Sequence, residues 1–126
     1  MAKEKKVNIF LPDDVVASNE FSNDGLKQIV DVNHIPDGWQ GLDIGPRTAA
    51  KFEKVIHNSS TILWNGPMGV FEMSSFEKGT KNVAKAVAKA TENGAYSLIG
   101  GGDSAAAAKF LLWQKRKRLI FFYLTM

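Results

Sequence analysis

The stretch that most constrains the fold runs from residue 97 to 108: Ser97-Leu98-Ile99-Gly100-Gly101-Gly102-Asp103-Ser104-Ala105-Ala106-Ala107-Ala108. An apolar strand runs into three glycines and continues as an alanine-rich helix. Glycine lets the backbone approach a ligand closely, and the helix start presents unpaired N–H groups and a positive dipole end to an anion. No Gly-Lys-Ser/Thr follows and the Gly-x-Gly-x-x-Gly spacing is missing, so neither a Walker loop nor a dinucleotide fingerprint is present. An acid, Asp103, and a hydroxyl, Ser104, stand where the helix begins. A carboxylate beside a phosphate is repulsive unless a cation lies between them, which points to a metal-bridged nucleotide. Asp and Ser are equally good helix N-caps, and three glycines can mark a tight turn alone, so this loop by itself leaves structure and function both open.

The length of 126 residues suits one domain or a piece of one. With 44% hydrophobic and 23% charged residues, the chain is globular rather than disordered. Zero cysteines exclude a disulfide framework and a thiolate metal site and fit a cytoplasmic protein. The charged start, Met1-Ala2-Lys3-Glu4-Lys5-Lys6, has no long apolar run behind it, against a signal peptide. The net charge of +3 is local in origin: Lys115-Arg116-Lys117-Arg118 takes four of the sixteen basic residues, leaving twelve against thirteen acids. The body is therefore slightly acidic, which gives no reason to expect nucleic-acid binding by it.

In chain order, Val7 to Pro12 and Asp14 to Ser18 read as strands of a covered sheet, and Asn19 to Asp31 as a loop with weak extended structure near Ile29 to Val32. A turn-rich segment from Ile35 to Gly45 follows, in which Gly41 allows close backbone approach. Pro46 then opens a helix with Ala49, Phe52, Val55 and Ile56 at helical spacing, closing near His57-Asn58. His34 and His57 have no metal-ligand pattern around them and read as surface or packing residues. Thr61 to Trp64 is a strand that ends in Asn65-Gly66-Pro67-Met68-Gly69-Val70-Phe71-Glu72. Ser74 and Glu77 have capping-box spacing and predict a helix start, with Val83 and Val87 inside and Lys81, Lys85 and Lys89 on a solvated face up to Asn93-Gly94.

Alternating strands and helices predict an α/β fold, three-layer α/β/α, with a mostly parallel sheet of Rossmann-like type. Right-handed crossovers then put the loops at Gly41 to Gly45, Asn65 to Glu72 and Gly100 to Ser104 on one ligand-binding rim. On that rim the Gly41 backbone lines a flat base, the Glu72 carboxylate accepts ribose hydroxyls, and Gly101, Gly102, Asp103 and Ser104 hold phosphates and metal. Glu72 taken alone reads as a surface acid.

Three motifs, Gly41-Leu42-Asp43-Ile44-Gly45-Pro46, Trp64-Asn65-Gly66-Pro67-Met68-Gly69-Val70-Phe71-Glu72 and Gly100-Gly101-Gly102-Asp103-Ser104, resemble in order and spacing the C-terminal nucleotide-binding domain of the phosphoglycerate kinase family. Leu11-Pro12-x-Asp14-Val15-Val16 and Ile35-Pro36-Asp37-Gly38-Trp39 resemble it too, so the likeness covers roughly residues 5 to 110. The resemblance implies reversible phosphoryl transfer between 1,3-bisphosphoglycerate and ADP, giving 3-phosphoglycerate and ATP, in glycolysis, with Mg2+, in a cytoplasmic and typically monomeric enzyme. It implies that Gly41 borders adenine, Glu72 binds ribose, and Asn65 and Pro67 shape the nucleotide site. By the same resemblance Gly101 and Gly102 offer amides to the moving phosphoryl group, Asp103 holds the Mg2+, and Ser104 bonds a phosphate oxygen where the family often has threonine.

The sequence has no counterpart of the family's N-terminal domain with its basic phosphoglycerate site, of the nucleotide-binding lysines, or of the late Thr-Gly-Gly-Gly-Ala-Ser segment. The expected organisation is thus a partial nucleotide-binding domain over 1–110 and a divergent basic and aromatic tail over 111–126, the chain alone being inactive. The sheet is expected to have exposed edges and an incompletely covered face. Alternatives are a non-catalytic nucleotide-binding remnant, or a tail that adheres to anionic membrane or RNA. Leu119 to Met126 is too short to span a membrane, and its strand-prone apolar run is an aggregation hazard.

Overall fold

The computed structural model describes residues 7–100 and 120–121. Its strands fall into two sheets. In the first, β1 (Asp14–Ser18) lies between β2 (Lys27–Asp31) and β3 (Gln40–Ile44), antiparallel to both. Val16 pairs with Ile29 on one side and Asp43 on the other, and a bulge between Val16 and Ala17 shifts the β3 register. The second sheet is parallel: β4 (Thr61–Asn65), β5 (Tyr96–Gly100) and β6 (Ile120–Phe121), in that order. The α/β class with a parallel sheet stands, while the expectation that every strand shares one rim is corrected: β3 belongs to the antiparallel sheet. Short connections between β1, β2 and β3 permit antiparallel pairing, whereas a parallel neighbour needs the long crossover that α2 supplies between β4 and β5.

Two helices complete the described architecture, α1 (Pro46–His57) and α2 (Lys78–Glu92). They pack on each other and on one face of the parallel sheet, where Ile62, Trp64 and Ile99 meet Ala49, Val83, Ala84, Val87 and Ala90, with Phe52 and Ile56 packed alongside. On the opposite face Leu63 is 68% exposed and Tyr96 54%.

Neither helix has an acid in its first turn or a side-chain cap from its own N-cap residue. The first sheet provides both caps. Buried Asp14 of β1 accepts the amides of Arg47 (3.1 Å) and Thr48 (2.8 Å), and the Thr48 hydroxyl donates to the same carboxylate at 2.7 Å. Buried Asp43 of β3 accepts the amide of Gly79 at 2.8 Å, in the first turn of α2. Carboxylates there satisfy otherwise unpaired N–H groups and complement the helix dipole.

Three further expectations are corrected. Val7 to Pro12 forms no strand; Val7, Ile9 and Leu11 are exposed, and Phe10 lies along an apolar groove of about 260 Å³ with Phe52, Leu63 and Met68. An apolar run becomes a strand only where a ladder partner is available, and this run pairs with none among the described residues. The Ser74 to Glu77 spacing gives a single 3-10 turn, Ser74–Phe76, and α2 starts at Lys78. Ser74 is turned to Asn23 instead (3.4 Å), and Asp43 performs the capping. Lastly, β2 spans all of 27–31, an ordered strand where weak extended structure was expected near Ile29 to Val32.

Candidate functional site

The parallel register sets Asn65 beside Gly100, so β4 and β5 end side by side at their carboxyl ends. The Asn65 carboxamide leans over that glycine, its Oδ1 3.8 Å from where a Cβ on Gly100 would sit. Beyond Asn65 the strand stops, because Pro67 has no amide hydrogen to give to a ladder. The chain then forms an arm that turns back toward the first sheet. Thr80, fully buried in α2, accepts the amides of Met68 (3.1 Å) and Gly69 (3.3 Å) at its hydroxyl. One residue further, the Val70 amide donates to the Leu42 carbonyl of β3 at 2.9 Å. The indole N–H of Trp64 donates to the Gly66 carbonyl at 2.7 Å, fixing the base of the arm.

The arm continues through a turn in which the Met73 amide donates to the Val70 carbonyl (3.1 Å), and Phe76, wholly buried, anchors its far end. Glu72 lies in this turn, exposed, with no hydrogen bond or ion pair to a described residue. Gly41 is also exposed and lies within strand β3 rather than in a loop; a Cβ there would lie 3.5 Å from the Val15 side chain. Gly41 adjoins Leu42, whose carbonyl holds Val70, so Gly41 and Glu72 flank one junction between β3 and the arm. Asn65 is exposed at the base of that arm and Pro67 is half-buried. Gly101, Gly102, Asp103 and Ser104 lie outside the described residues. Among the described residues no group of three His, Cys, Asp or Glu side chains is placed to hold a metal ion.

Motif reading did not single out Asp43, Thr80 or Asp14 for what they do. Asp43 is 4% exposed, and its carboxylate takes the Ile44 amide on Oδ1 (2.9 Å) and the Gly79 amide on Oδ2. Burial pushes its pKa up to about 6, against the lowering effect of the Gly79 and Ile44 hydrogen bonds. At Asp14 burial acts in the same direction, but the Thr48 and Arg47 hydrogen bonds and the nearby Arg47 charge outweigh it and the pKa is lowered. A signal for Asp43 was present: an acid between Leu42 and Ile44 in a strand is out of place unless its oxygens are used.

The family model described as phosphoglycerate kinase matches residues 1–121. The chain belongs to this family. The match extends past the Phe110 limit expected from the motifs. Over 103 residues the chain is 53% identical to the phosphoglycerate kinase of Corynebacterium diphtheriae, covering 82% of this chain and 25% of that one. The Rhodococcus erythropolis phosphoglycerate kinase is 52% identical over 103 residues, covering 82% and 26%. The solved phosphoglycerate kinase from Coxiella burnetii superposes with a TM-score of 0.84 at 40% identity, over 94% of this chain and 30% of that one. That from Pyrococcus horikoshii OT3 gives 0.62 at 32% identity, over 89% and 26%. The chain thus spans about a quarter of the length of the curated relatives it matches.

Proposed function

We propose that this chain is the ATP/ADP-binding part of a phosphoglycerate kinase, an enzyme of glycolysis in the cytoplasm that transfers a phosphoryl group between 1,3-bisphosphoglycerate and ADP. What carries the reading is the arm from Asn65 to Glu72, which leaves the shared end of two parallel strands and is tied to β3 beside Gly41. An open α/β sheet takes ligands at such an end. In this reading the adenine lies on the exposed backbone of Gly41, and the exposed Glu72 carboxylate accepts the ribose hydroxyls. Asn65 and Pro67 border the phosphates. The family resemblance assigns Gly101 and Gly102 to the transferred phosphoryl group, Ser104 to a phosphate oxygen and Asp103 to magnesium. Magnesium bound with the nucleotide supplies charge neutralisation at the phosphate oxygens. In this reading the partial nucleotide-binding domain spans 1–110, and the tail over 111–126 adds Ile120–Phe121 to its sheet as β6. The family resemblance implies a monomer, and a chain spanning about a quarter of its relatives is expected to lack phosphoryl transfer alone.

Calorimetric titration with Mg-ADP tests this. Binding at millimolar ligand or tighter, weakened about tenfold by Glu72→Gln, is expected, since a carboxylate accepting two hydroxyls is worth about 1.5–3 kcal/mol. No heat and no thermal shift from a folded chain would end the reading. Tail adhesion to membrane or RNA is the weaker alternative, because the Ile120–Phe121 backbone is engaged in the ladder with β5.

A further inference from the structure

Asp43 stands where three separate segments meet. Its strand β3 carries Gly41 at the other end; Gly79 of α2 and Gly69 of the arm both press against its carboxylate. A Cβ on Gly69 would lie 2.5 Å from Asp43 Oδ1 and 2.6 Å from the Leu42 carbonyl oxygen, and a Cβ on Gly79 would overlap Oδ1 outright. Only a residue without a side chain fits either slot. The carboxylate fixes the Gly79 amide, the next residue Thr80 holds Met68 and Gly69, and Val70 then bonds to Leu42, the neighbour of Asp43. The path leaves β3 at Asp43 and returns to it one residue away, a closed ring of contacts.

We propose that Asp43 is a positioning residue for the nucleotide site: by clamping the first turn of α2 to β3 it sets the arm that carries Glu72 at a fixed distance from Gly41. This rests on the reading of Gly41 and Glu72 as adenine and ribose contacts. Asp43 touches no nucleotide itself. Its effect falls on recognition of the adenosine half, not on the phosphate half.

Amide hydrogen exchange by NMR on the full 126-residue chain, with Mg-ADP and Mg-pyrophosphate titrations, tests the proposal. In Asp43→Ala the amides of Met68, Gly69, Val70 and Gly79 should exchange about tenfold faster or more, while those of β4 and β5 away from the arm keep their protection. ADP affinity should fall about tenfold, with pyrophosphate affinity unchanged. Gly69→Ala sets a Cβ against Asp43 Oδ1 and the Leu42 carbonyl from the arm side and should speed exchange at Met68, Gly69 and Val70 and weaken ADP binding alike, so a folding failure of the first variant leaves the test standing. Uniform acceleration across the chain, or unaltered Val70 exchange in both variants, would overturn the proposal. Should the unsubstituted chain bind neither ligand, it is the nucleotide reading that fails, independently of the exchange result.

Discussion

Replacing Asp43 by asparagine should change how stability depends on pH, and the size of the change follows from the site. The Asp43 carboxyl has its pKa raised from 3.8 to about 6, first by burial. In the folded chain it therefore holds its proton to higher pH than in the unfolded chain. Below 3.8 the group is neutral in both states. As pH rises through about 6, the folded state must accept a buried charge, and stability is lost. At about 1.4 kcal/mol per pH unit, the gap amounts to about 3 kcal/mol in all, most of it lost between pH 4 and pH 7. Asp43→Asn never ionises, so it escapes this loss. It carries a separate cost at every pH, because both carboxyl oxygens keep lone pairs for the Ile44 and Gly79 amides even when one is protonated, whereas the NH2 of a carboxamide accepts nothing. One unpaired buried amide costs about 1–3 kcal/mol. The variant should therefore be clearly less stable than the parent at pH 4 and roughly equal to it at pH 7. Urea unfolding of both proteins, followed by circular dichroism at half-unit steps, gives the difference directly, and every other titrating group cancels in the subtraction. A difference that stays flat from pH 4 to pH 7 would refute the placement of Asp43 as a desolvated, doubly bonded carboxyl.

Asp14→Ala should cost about 2–4 kcal/mol at pH 7, since it strips the cap from α1 and leaves the Arg47 and Thr48 amides without their acceptor. The lowered pKa of Asp14 means that its contribution is present above pH 3.8 and fades as pH falls through the lower folded value, so parent and variant should converge in acid unfolding curves. Phe76→Ala empties a fully buried site beneath the arm and should lower stability by about 3–5 kcal/mol in denaturant titration. Leu63→Lys, at an exposed position of β4, should alter stability by less than about 0.5 kcal/mol yet raise the concentration at which light scattering detects self-association.

The elements that sequence made legible are those whose signals are local. Pro46 opens α1 as its fixed φ allows, Asn93-Gly94 follows the end of α2, and Thr61 to Trp64 and Tyr96 to Ile99 are the apolar runs that become β4 and β5. Asn65, Pro67 and Glu72 were legible as one loop because they are contiguous. What was not legible depends on partners distant in sequence. Whether Val7 to Leu11 becomes a strand depends on a neighbour that its own residues do not specify. The assignment of β3 to the antiparallel sheet depends on its competition with β4 for a place beside β1 or β5. Ser74 lost its capping role because Asn23, far along the chain, takes its hydroxyl and accepts the Ser75 amide. Asp43 and Thr80 sit under the site rather than in it, and no motif spacing marks a residue that acts through another.

The two helix caps bear on the order in which the molecule assembles. Asp14 lies 33 and 34 positions before the amides it serves, and Asp43 lies 36 before its own. Each acceptor leaves the ribosome ahead of the helix that needs it. A nascent chain can thus lay down its small antiparallel ribbon first and hold α1 and then α2 in place as they emerge, whereas either helix excised as a peptide would fray at its start.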